Sequence, residues 1–130
     1  MTYRPTIAWD FDGVLHSYER GWQDGTVYGT LDFSLIEEGW RRGYANAIIT
    51  TRDVLQVANC LPSEWTIHTD IKSEAQFWDG GEDGKAVLVT NRKVAAIAYV
   101  DDRAIHYRFD EGYPRREEVF SLINQLGSKA

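Results

Sequence analysis

A chain of 130 residues with a formal charge of −6 and a pI near 5.0 is long enough for one domain with a three-layer core, but not for two. The acidity argues against a nucleic-acid surface built on bulk positive charge, and the single cysteine, Cys60, excludes an intrachain disulfide and fits a reducing compartment. No stretch approaches the ~20 apolar residues of a membrane span and residues 1–5 hold no apolar signal region, so a soluble, cytoplasmic protein is expected.

In chain order, residues 6–9 read as a first strand. Residues 13–30 are glycine-rich and aromatic and read as loop or hairpin. Ser34 and Glu37 have capping-box spacing, and Leu35, Ile36 and Trp40 give the following helix an apolar face before Gly43 ends it. Residues 44–49 form a second strand, and Asp53 is placed to cap a short helix running to Cys60, with Pro62 beyond it. A short strand at 65–68, a short helix at 73–78, a glycine turn at 80–84 and a small strand at 86–89 follow. Residues 94–100 hold the last central strand, and Pro114, Val119, Leu122, Ile123 and Leu126 outline a final helix. Strands alternating with helices predict an α/β fold: an open parallel sheet with helices on both faces, in a single domain.

The chemistry-bearing residues stand at strand ends. Asp10 and Asp12 follow the apolar run 7–9, and carboxylates two apart on an extended strand point the same way. Asp101 and Asp102 close the apolar run 95–100. Paired acids at buried strand ends call for a cation, and oxygen ligands suit magnesium. Alone, Asp-x-Asp-Gly is an ordinary surface turn. Here it is accompanied by Thr50 after the second strand and Lys93 ahead of the last, in the order Asp-x-Asp, Thr, Lys, Asp-Asp.

On these four motifs, spread from Ile7 to Ala104, the chain resembles the haloacid dehalogenase-like superfamily of phosphotransferases, and the string from Tyr99 to Ile105 is similar to its small members without a large cap. The resemblance implies a Mg²⁺-dependent phosphomonoester hydrolase. Asp10 would be the nucleophile that forms an aspartyl-phosphate, and Asp12 the acid that protonates the leaving oxygen and later activates water. It also implies that the metal is held by Asp10, the backbone carbonyl of Asp12 and an acid of the last pair, Asp102 directly or Asp101. Thr50, with Thr51 as the alternative, would donate to a phosphate oxygen, and Lys93 would offset charge on phosphate and nucleophile. Lys72, Lys85 and Arg92 compete with Lys93, and Val94 stands where typical members have proline.

His16, His68 and His106 do not form a spaced metal triad, and His16 reads as a solvent-exposed loop residue. Cys60 has no neighbouring histidine to activate it and reads as packing. The stretches 13–49 and 51–92 are filled by expected elements and leave no room for a cap, so the segment 21–30 is the one candidate cover, a flap or hairpin, and the site should admit a phosphate on a large or protruding substrate. Other readings are a phosphoreceiver domain, whose adjacent acids would follow the first strand, a catalytically silent binding protein of the same fold, and a 3′-phosphatase acting on nucleic-acid ends, which the acidic charge disfavours.

Overall fold

The computed structural model describes residues 4–18, 26–69, 78, 80–81, 84–107 and 116–127. Its centre is a five-stranded, all-parallel sheet: β1 (Thr6–Asp10), β2 (Ala45–Ile49), β3 (Thr66–His68), β4 (Ala86–Thr90) and β5 (Ala98–Val100), in the order β3-β4-β2-β1-β5. Three helices accompany it: α1 (Ser34–Arg41), α2 (Val54–Ala58) and α3 (Arg116–Gly127). The expected helix at 73–78 and the glycine-rich stretch 21–25 lie outside the described residues.

The central strands are nearly continuous apolar runs because a parallel strand with neighbours on both sides is buried on both faces; every residue of β4 is buried. One face carries Trp9, Ile48, Val87 and Val89, and Ile36 of α1 and Val57 of α2 pack against it together with Phe11, Leu61 and Trp65. The other face is lined by small side chains, Ala45, Ala47 and Ala86, against which Trp78 and Val94 lie. The wholly buried Asn46 has its amide paired: it accepts from Trp9 Nε1 at 2.8 Å and donates to the Ile36 carbonyl at 3.1 Å.

Two local expectations change. Ser34 does not cap α1. The position before the helix is Phe33, with no capping side chain, and Asp32 instead accepts the Ser34 backbone N–H at 2.9 Å, which holds the Asp32 carboxyl below its ordinary range. The strand at 98–100 is an edge strand among the described residues rather than a central one, and its Ala98 and Tyr99 are exposed. Asp53 does cap α2, accepting from Leu55 N at 2.8 Å and Gln56 N at 3.4 Å, and the helix ends at Ala58, short of Cys60.

Sheet order fixes where a ligand belongs. From β1 the chain moves to β2 on one side, and β5, the last strand, pairs with β1 on the other, so the strand order reverses direction at β1. A parallel sheet opens a crevice at such a switch point.

Candidate active site

Asp10 is the last residue of β1 and pairs with Ile49 of β2, while Trp9 pairs with Val100 of β5. The next step along that second ladder brings Asp10 beside Asp101. Carboxylate oxygens of Asp10, Asp101 and Asp102 lie within 4.8 Å of one another. Burial first, and then the charges of Asp101 and Asp102, push the Asp10 carboxyl up to about 7.

Three converging carboxylates present hard oxygen donors from two separate segments, and a divalent cation would offset both the burial and the mutual repulsion that raise the Asp10 carboxyl. The donor set therefore fits an acid-ligated metal ion. A glycine makes the convergence possible: Gly13 has φ +88°, and a Cβ built there would stand 2.1 Å from Oδ2 of Asp102.

A cleft of about 780 Å³ opens beside this group, lined among others by Asp10, Asp101, Lys93, Ile49, Tyr99 and Tyr107. The Lys93 ammonium lies 4.7 Å from the centre of the Tyr99 ring, a cation–π arrangement that holds it at the cleft wall. Of the competing lysines, Lys85 precedes β4 and so lies at the opposite end of the sheet, and Lys72 is outside the described residues.

Thr50 follows β2 and is buried; its Oγ1 accepts the Arg52 N–H at 3.0 Å, whereas Thr51 is exposed. Asn91, just past β4, ties this turn down by donating to the carbonyls of Thr50 (2.5 Å) and Arg52 (2.9 Å). Cys60 donates to the Gln56 carbonyl at 3.3 Å, and burial pushes its thiol up, so it has the character of a packing group.

Asp12 behaves differently from the other three acids. Its carboxylate is taken up by two buried partners, His16 Nδ1 on Oδ1 and Arg52 Nε on Oδ2, each at 2.8 Å. His16 is 2 % exposed, which overturns its reading as a solvent-exposed loop histidine. Arg52 is 1 % exposed and was not singled out from sequence at all. Thr51-Arg52 after a strand carries no sign of the partner, and nothing between Asp12 and His16 announces that the ring turns inward.

The loop after Asp12 is stapled shut. Ser17 N donates to the Thr30 carbonyl, Thr30 N to Ser17 Oγ, Asp32 N to the Leu15 carbonyl and Gly29 N to His16 Nε2, all at 2.8–2.9 Å. Gly29 and Thr30, at the end of the expected flap, are thus tied to the first motif.

Comparison with protein-family models, with curated proteins and with solved structures gave no match. Among the described residues, no helix is long and apolar enough to cross a membrane.

Proposed function

We propose that this chain is a divalent-metal-dependent phosphomonoester hydrolase of the haloacid dehalogenase-like kind, with a three-layer fold, no cap domain and Mg²⁺ as the preferred ion. The observation that carries the reading is the convergence of Asp10, Asp101 and Asp102 beside a cleft that Lys93 also lines, at the switch point of a parallel sheet. Neither an ordinary turn nor a surface acid patch requires a lysine and three acids from two separate strand ends to meet in one place.

In this reading Asp10 Oδ attacks the phosphorus of the substrate and the P–O bond to the leaving group breaks. The proton that the leaving oxygen needs comes from Asp12, which then accepts a proton from the water that cleaves the aspartyl-phosphate. Lys93 offsets the charge of the phosphoryl oxygens, and the hydroxyl of Thr50 or Thr51 donates to one of them. Asp10, Asp101 and Asp102, with the backbone carbonyl of Asp12, would hold the ion. When bound, the ion supplies positive charge to the carboxylates and phosphate oxygens, which otherwise repel one another.

The decisive experiment is hydrolysis of nitrophenyl phosphate by the purified protein with Mg²⁺, with chelator, and as Asp10→Asn. Activity that needs the metal and vanishes in the variant is the expected result. Undiminished activity in Asp10→Asn or after chelation overturns the assignment. A set of sugar phosphates, nucleotides, phosphopeptides and phosphorylated oligonucleotide ends then finds the substrate class.

A further inference from the structure

Asp12 lies next to the acid group yet outside it, and the structure gives the reason. Its two carboxylate oxygens accept from two different buried donors. The histidine's role follows from its other nitrogen: the Gly29 backbone N–H donates to His16 Nε2 at 2.8 Å, so that nitrogen carries no hydrogen and Nδ1 must bear it. His16 Nδ1–H then donates to Asp12 Oδ1. The close approach of the Gly29 backbone depends on its lacking a side chain, because a Cβ there would stand 2.7 Å from Nε2 and 2.1 Å from Ser17 Oγ. The ring is also stacked on Phe11, with centroids 5.5 Å apart and planes 26° apart.

On the opposite side, Arg52 directs Nε at Asp12 Oδ2, reaches Gln56 Oε1 with Nη1 at 3.5 Å, and lies 6.0 Å from the Tyr18 ring centre. Burying a guanidinium is costly unless it is paired, and here the pair partner is a residue assigned to the chemistry.

We infer that His16 and Arg52 are positioning residues that clamp the Asp12 carboxylate from both sides, keeping it out of the metal-binding group and aimed at the leaving-group oxygen. This rests on the phosphohydrolase reading. The clamp matches the carboxylate that Asp12 becomes after giving its proton to the departing alkoxide, and from which it takes a proton off the attacking water. The carboxylate is therefore restored to the same place at every turnover.

The test combines a double-mutant cycle with a measurement that needs no turnover. His16→Gln, with Arg52→Lys as the second variant should the first not fold, is assayed at saturating Mg²⁺ on an alkyl phosphate and on nitrophenyl phosphate, in the native background and in Asp12→Ala. The expected result is a loss of about tenfold or more in kcat on the alkyl ester, a smaller loss on the nitrophenyl ester, and no further loss in the Asp12→Ala background. Half-saturating Mg²⁺ stays unchanged. Equal losses on both esters, or the same loss with and without Asp12, reduce His16 to a structural brace and overturn the proposal.

Independently, ¹⁵N-edited NMR of the native protein on the alkaline side of the imidazole range should show a sheltered imidazole proton on Nδ1 that disappears in Asp12→Ala. A proton on Nε2 instead overturns the clamp whatever the activity. A correctly placed Nδ1 proton in a protein that hydrolyses no ester would overturn the phosphohydrolase reading and the positioning role with it, while the clamp itself would stand.

Discussion

Gly13 and Asp102, from opposite ends of the sequence, approach so closely that a methyl group on the first would overlap a carboxylate oxygen of the second. The first motif's loop and the last motif's acid are thus fitted to each other through the absence of one side chain. Gly13→Ala should displace Asp102, strain a backbone held at φ +88°, and weaken Mg²⁺ binding by about tenfold or more while leaving the sheet folded. Calorimetric titration with Mg²⁺ alongside a circular-dichroism melt checks this.

Asp10 gives the metal-free protein an unusual pH dependence. Burial and the neighbouring acids raise its carboxyl to about 7 in the folded chain, whereas the unfolded chain releases that proton near the ordinary 3.8. The folded state binds more protons across this window, so this group makes stability fall as pH rises from about 4 to about 7, and flatten above. On the proposed function Mg²⁺ would displace this proton, so the rise in melting temperature on adding Mg²⁺ should grow over the same window. Thermal melts in a pH series with and without the ion test both halves. A Mg²⁺ effect that shrinks with rising pH would contradict them.

The two acids of the last pair should not be equivalent. Asp101 already accepts the Arg103 N–H at 2.8 Å through Oδ1, while Asp102 faces the Gly13 loop. Asp102→Asn should therefore weaken Mg²⁺ binding more than Asp101→Asn. The reverse order in a titration would make Asp101 the principal ligand.

The sequence made the sheet and its acids legible for concrete reasons. Residues 45–49 and 86–90 are short apolar runs with no helical period, and Asp10, Asp101 and Asp102 stand where such runs stop. Lys93, which stands between β4 and β5, lines the same cleft as Asp10 and Asp101. What stayed hidden is long-range pairing of ordinary side chains. His16 is buried by Gly29 and Asp12, Arg52 by an acid far away in sequence, and Asn91 braces a turn on another strand. Ser34 misled because its capping-box spacing is local, whereas Asp32 accepts the backbone N–H of Ser34 itself from outside the box.

A stability test follows from the cap that did form. Asp53 accepts two N–H groups at the start of α2, whose Val57 is wholly buried. Asp53→Ala should lower unfolding free energy by about 1 kcal/mol, read by urea denaturation. Because α2 also carries Gln56, which contacts Arg52, the same variant should lower turnover modestly without changing Mg²⁺ affinity.

The pairing of Leu15 and Ser17 with Thr30 and Asp32 has a practical meaning for how such a protein could be altered. Three hydrogen bonds tie the chain after the first motif to the chain ahead of α1 and make a closed neck there. Replacing residues 19–25 by segments of other length or composition should leave this neck, and with it the His16–Asp12 contact, in place. On the proposed function, new substrate preferences could then be selected there with Asp12 left undisturbed.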